Sequence, residues 1–219
     1  MHYGGKLKGD TRVVEAVLFD LDGTLVDSRE AVVWAVNELF KRIGRPAAPA
    51  DEIISLIGVG LVPLLKNFVD NPEEYVDQYR DLYKQGFQSR TTLYRGAKEV
   101  LELLKKNDVK VGVVTNRSKE LSQVIMDYFT LSSDVDILVG QDGNSPLKPD
   151  PELILQACRV LGVKPQSTIM VGDTEIDIET GKNAGSFTIK VDHEAKNEPT
   201  KADAVVYELP EVPKFLDAV

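Results

Sequence analysis

Short, Val-rich apolar runs alternate with helical stretches along most of this chain, and that alternation restricts the fold more than any other feature. The runs are VVEAVLF (13–19), VKVGVVT (109–115), VDILVG (135–140), STIMVG (167–172), FTIKV (187–191) and ADAVVY (202–207). Continuous apolar runs of this length are what strands buried on both faces need. Between them lie GAKEVLELLKKN (96–107), SKELSQVIMDYF (118–129), PELILQACRVLG (151–162) and DIETGKNAG (177–185), all helical in pattern. Strand, helix and strand in turn predict βαβ units and an α/β fold with a parallel sheet covered on both sides.

Residues 28–91 interrupt the alternation. In SREAVVWAVNELFKRI the apolar positions Val32, Ala35, Val36, Leu39, Phe40 and Ile43 recur at helical spacing, which predicts one amphipathic helix. Trp34 falls almost opposite that stripe, so it is expected to be exposed, or to meet the sheet domain over the substrate or a second subunit. DEIISLI, LVPLLKNF and PEEYVDQYRDLYKQGF read as further helices, the last opened by a proline. The segment is therefore expected to be an all-helical insert. It separates residues 13–27 from 92–219, which together would form the sheet domain, and residues 1–12 would be a loose tail.

Bulk properties narrow the partners. A chain of 219 residues holds one large domain, or a core with a smaller insert. A net charge of −9 argues against nucleic acid and against an anionic membrane. One cysteine, Cys158, excludes an internal disulfide. No apolar run approaches the ~18 residues of a membrane span, and no secretory signal opens the chain, so a cytoplasmic setting is expected. Monomer and homodimer both remain open.

In an open parallel sheet, ligands bind beyond the carboxyl ends of the strands. Polar residues collect there: Asp20 and Asp22 after the first strand, Thr115 and Asn116 after the second. Lys148 follows the third, Asp173 the fourth, and Asp177 stands four residues later. Asp20 and Asp22, at i and i+2 of an extended segment, point the same way. Like charges this close are costly unless a cation neutralises them or one is protonated. Oxygen ligands favour a hard cation such as Mg²⁺, with Asp173 as the third acid. One carboxylate of the pair would then attack while the other moves protons.

FDLDGTLVDS, VVTNRS, LKPDP and VGDTEIDIETGKNAG resemble, in order, the four motifs of the haloacid dehalogenase superfamily. The helical insert after the first motif is similar to the C1 cap of the phosphoglycolate phosphatase-like members. The resemblance implies a Rossmann-like core, Mg²⁺ and an aspartyl-phosphate intermediate. It implies Asp20 as nucleophile and Asp22 as general acid/base. Thr115, the backbone at Asn116 and Lys148 would hold phosphoryl oxygens. Mg²⁺ would lie on Asp20, the Asp22 carbonyl and Asp173, with Asp177 outside the first shell.

Asp22 also selects within the family. A halide leaves without a proton, whereas an alkoxide leaving phosphorus needs one. A Mg²⁺-dependent phosphatase acting on a small phosphorylated metabolite is the expected activity, with 2-phosphoglycolate as the expected substrate. A phosphosugar mutase of the β-phosphoglucomutase type would use the same aspartates. A receiver-like signalling module or a catalytically silent relative would be a different class. His193 follows a strand and is expected in a loop flanking the mouth of the site.

Overall fold

The computed structural model describes residues 14–142 and 145–217. The expected tail, 1–12, lies outside them. Six parallel strands form the main sheet: β1 (Ala16–Phe19), β4 (Lys110–Ser118), β5 (Ile137–Gln141), β6 (Thr168–Gly172), β7 (Phe187–Val191) and β8 (Ala204–Val206). Their spatial order is β5-β4-β1-β6-β7-β8, with β1 central and paired to β4 and β6. Alternate residues of β1 enter two separate cores. Val17 and Phe19 face one side, with Val100, Leu101 and Leu104 of α5 (Ala97–Lys106) and Leu121 and Ile125 of α6 (Lys119–Tyr128). Ala16 and Leu18 face the other, with Leu153, Ala157 and Cys158 of α7 (Glu152–Leu161) and Ala184 of α8 (Glu175–Ala184). Continuous apolar strands follow directly from this double coverage.

β1 ends at Phe19, and the chain turns away at Gly23, whose φ is +84°. A side chain is strained at that angle, and a Cβ there would lie 2.3 Å from Asp173 Oδ2, so glycine is required. Strands β2 (Val26–Asp27) and β3 (Thr92–Leu93) then pair antiparallel. They form a two-stranded strap where the chain leaves and re-enters the sheet domain. Two residues are too few to show a period, which is why neither strand was visible in the sequence pattern.

Between the strap strands run α1 (Arg29–Arg42), α2 (Ala50–Ile54), α3 (Leu61–Lys66) and α4 (Val76–Gly86), with 3₁₀ turns at Pro72–Tyr75 and Phe87–Ser89. The predicted stripe of α1 is buried from Val32 to Phe40. Trp34 departs from expectation. A Cβ on Gly86 would lie 2.2 Å from its ring, and the Arg90 guanidinium lies 4.6 Å from the ring centroid. The tryptophan is half-buried against the end of α4 within the helical layer itself. A helical wheel gives the direction of a side chain but not what covers that direction, and here a glycine opens the space. Among the described residues, no helix is long and apolar enough to cross a membrane.

Candidate active site

The carboxyl ends of β1, β4 and β6 deliver the charged groups. Asp20 directly follows β1, and its backbone N–H donates to the Val171 carbonyl on β6 at 2.9 Å. Lys148 comes from the loop between β5 and α7, and its side chain is 1% exposed. Its ammonium donates to Asp20 Oδ1 at 2.7 Å, Asp177 Oδ1 at 2.6 Å and the Val114 carbonyl at 3.2 Å. Three donors meet three acceptors, so the lysine orients the Asp20 carboxylate.

Asp177 has a second set of partners. Its Oδ2 accepts from the Thr174 N–H at 3.1 Å and from the Thr174 hydroxyl at 2.6 Å, closing a capping box at the start of α8. Asp177 thus caps α8 and holds Lys148 with its two carboxylate oxygens. Asp173, just ahead of that helix, accepts from the Thr24 hydroxyl at 3.0 Å.

Asp20, Asp173 and Asp177 each bring a carboxylate oxygen within 4.8 Å of the others. Against these three charges stands the single ammonium of Lys148, an imbalance of two negative charges in a desolvated site. Burial pushes Asp20 up to about 7, against the pull of Lys148 and with help from the charges of Asp177 and Asp22. Burial of its carboxyl, followed by the charges of Asp177 and Asp20, also carries Asp173 well above the usual carboxylate range. Carboxylates that hold protons this readily fit a divalent cation, which replaces the missing charge.

The side chain of Asp22 lies outside that cluster. It accepts two parallel bonds from Arg117, from Nε at 2.8 Å and from Nη2 at 2.7 Å, and a third from the Ser28 hydroxyl. Burial favours the neutral acid, but Arg117 outweighs it and holds the Asp22 carboxyl below its ordinary value. Any part Asp22 takes in metal binding falls to its backbone carbonyl. Arg117 also lies 4.3 Å from the centroid of the Tyr83 ring on α4.

Neither Arg117 nor Ser28 was singled out in the sequence. The available signal for Arg117 was strand periodicity. It stands two residues after Thr115 on β4, and so on the same face.

Thr115 and Asn116 are both buried at the end of β4. The Thr115 hydroxyl oxygen accepts from the Arg117 N–H at 3.2 Å, leaving its own proton free to donate. Asn116 acts as a clamp. Its amide donates to the carbonyls of Gly58 at 2.8 Å and Lys148 at 3.2 Å, and its oxygen accepts from the Lys148 N–H at 2.7 Å. A phosphoryl oxygen here would find the Asn116 backbone, since the side chain is occupied.

His193 stacks on Tyr94, with ring centroids 3.7 Å apart, and its Nε2 lies 3.1 Å from the Thr24 carbonyl. Burial lowers its pKa, and a neutral ring donating to that carbonyl supports the turn after Asp22. In front of Asp20 and Asp22 opens a cavity of about 240 Å³, walled by Val32, Leu56, Leu61 and Tyr79 from the segment between the strap strands and by Thr115 and Arg117.

Known proteins share this arrangement of chain. A family model described as haloacid dehalogenase-like hydrolase matches residues 17–191. A phosphoglycolate phosphatase of Aquifex aeolicus is 37% identical over 177 residues, 80% of this chain and 83% of that protein. A pyrophosphatase of Halalkalibacterium halodurans, PpaX, is 31% identical over 208 residues, covering 94% of this chain and 97% of that one. A haloacid dehalogenase-like family hydrolase of Streptococcus pneumoniae has the same fold. Its TM-score is 0.80 at 24% identity, with 92% of this chain and 98% of that chain covered.

Proposed function

The chain belongs to the haloacid dehalogenase-like hydrolase family and is a phosphatase of that family, and from this premise we propose a Mg²⁺-dependent phosphomonoesterase of the cytoplasm. Its substrate would be a small phosphorylated metabolite, and 2-phosphoglycolate is the best single candidate. The observation that carries the reading is the convergence of three carboxylates at the strand ends, two of them, Asp20 and Asp177, held by one lysine. The Aquifex relative is a phosphoglycolate phosphatase, which supports the substrate.

Asp20 attacks phosphorus through a carboxylate oxygen, forming an aspartyl phosphate as the bond from phosphorus to the leaving oxygen breaks. Lys148 holds the attacking carboxylate in position through Oδ1. Asp22 gives a proton to the leaving oxygen, then takes one from the water that attacks the same phosphorus and releases Asp20. The bond pair from Arg117 favours ionised Asp22, which suits the second half. A phosphoryl group entering the cavity competes for Arg117 and frees the carboxyl to carry the proton that the first half needs.

Thr115 and the Asn116 backbone receive the phosphoryl oxygens. Asp20, Asp173 and the Asp22 carbonyl would hold Mg²⁺, with Asp177 behind them. When bound, the ion neutralises charge on the phosphoryl group and on the carboxylates that approach it.

The test is turnover of p-nitrophenyl phosphate by wild type and by Asp20→Asn, each with Mg²⁺ and with EDTA. Wild type should turn over only with the metal, and the variant should keep less than about a hundredth of the rate, because an amide does not attack phosphorus. A variant retaining more than a tenth of wild-type turnover sinks the assignment.

A further inference from the structure

The cavity in front of Asp20 is small: its volume of about 240 Å³ falls below the ~300–1,000 Å³ usual for ligand pockets. Two arginines, Arg80 and Arg117, line it together with aliphatic residues such as Val32, Leu61 and Leu64. Arg117 is committed to Asp22 and to the face of Tyr83. Lys148 is shared among Asp20, Asp177 and a backbone carbonyl.

Arg80, on α4, has no such commitment. Its Nη1 reaches Asp77 at 3.2 Å, but that carboxylate is 93% exposed, and water screens such a pair. Its Nε is buried and has no hydrogen-bond partner among the described residues. A guanidinium does not shed its proton, and a buried donor without an acceptor is costly.

We infer that Arg80 reads a second anionic group of the substrate, one carried by the leaving group as a carboxylate or a second phosphate. The inference rests on the phosphatase reading above and narrows its substrate class. Asp20 and Arg80 line the same cavity, so a substrate held at Asp20 has the guanidinium on its wall. A neutral alkyl leaving group would meet the aliphatic wall and leave the guanidinium with solvent-exposed Asp77 alone. An anionic one supplies oxygens that match the guanidinium fork. The reaction itself is unchanged: the second anion departs with the leaving oxygen and takes no part in bond making.

The experiment measures kcat/KM for 2-phosphoglycolate, pyrophosphate and ethyl phosphate in wild type, Arg80→Ala and Arg80→Lys. Ethyl phosphate has an alkyl leaving group of similar size without the second charge. Wild type should prefer a charged leaving group. Arg80→Ala should cut that preference ~10–100-fold, the worth of a hydrogen bond to a charged group, chiefly through KM. Arg80→Lys should restore part of it. The compound that loses most identifies the second anion as carboxylate or phosphate. Each preference is a ratio within one variant, so partial misfolding cancels. An unchanged preference in Arg80→Ala, or equal losses on all three compounds, overturns the inference and leaves the phosphatase reading intact. A wild type inert towards these compounds and towards p-nitrophenyl phosphate overturns that reading, and this inference with it.

Discussion

Replacing Arg117 with methionine would remove the cation that holds Asp22 while keeping an unbranched chain of similar reach. Both side chains are nearly buried, 8% and 7% exposed, and only the Ser28 hydroxyl would remain on the carboxylate. Breaking a buried pair by removing one partner costs ~3–5 kcal/mol. Protonation limits that cost. Holding a proton at pH 7 on a carboxyl whose ordinary value is about 4 takes about three pH units at ~1.4 kcal/mol each, or ~4 kcal/mol. At pH 5 one unit remains, ~1.4 kcal/mol. Loss of the guanidinium from the face of Tyr83 adds ~1 kcal/mol at either pH.

In the wild type, the folded-state pKa of Asp22 is lowered by Arg117 against the effect of burial. Its stabilisation is therefore complete above the unfolded value and is lost only as pH falls through the folded one. Between pH 5 and 7 the wild type gains and loses nothing through this group. The deficit of Arg117→Met should then be ~5 kcal/mol at pH 7 and ~2.5 kcal/mol at pH 5. Urea unfolding in EDTA, followed by circular dichroism at both pH values, measures the difference with no cation near Asp22. An equal deficit at the two pH values would falsify the reasoning, because the loss would then be one of contact rather than of charge.

Three further outcomes follow from the same geometry. Asp22→Asn should cost ~10²–10⁴ in rate on an alkyl phosphate and less on p-nitrophenyl phosphate, whose leaving group needs a proton less; equal losses on the two would remove proton transfer as its role. Asp173→Ala should raise the Mg²⁺ concentration for half-maximal activity ~10-fold or more, as loss of a metal contact does, and an unchanged magnesium titration would refute the ligand assignment. Gly86→Ala places a Cβ 2.2 Å from the Trp34 ring and should destabilise the fold by ~1–3 kcal/mol through overfilling; a melting temperature and tryptophan emission identical to wild type would mean that the ring moves aside freely.

Much of the architecture was open to sequence reasoning because burial on both faces of a strand leaves a continuous apolar signature. The same logic places Asp20 and Asp173 at the ligand edge of the sheet, directly after such runs, and Lys148 and Asp177 in the segments that follow. The convergence of the three carboxylates follows from the strand order, with β1 lying between β4 and β6.

The partnership of Asp22 with Arg117 was hidden, although Arg117 stands in the quoted stretch VVTNRS. The two residues are 95 apart in the chain, and no local period links a strand end to an arginine on the neighbouring strand. Trp34 was misjudged for a related reason: its neighbour Gly86 has no side chain to announce a contact. Arg80 reads as an ordinary polar position of an amphipathic helix, and only the cavity marks it.

The clamp at Asn116 joins two parts of the cavity wall. Among the described residues, its bond to the Gly58 carbonyl is the hydrogen bond that ties the loop before α3 to the sheet domain. A neutral hydrogen bond is worth ~1 kcal/mol net, a bias of about fivefold towards the docked loop. Leu56, Ile57 and Val59 of the same loop also pack against the apolar core, so apolar burial holds the loop down together with that hydrogen bond. The same amide also holds the backbone of Lys148. One side chain therefore ties the loop before α3 to the backbone of the lysine that holds Asp20, so the cavity wall and that lysine are positioned together.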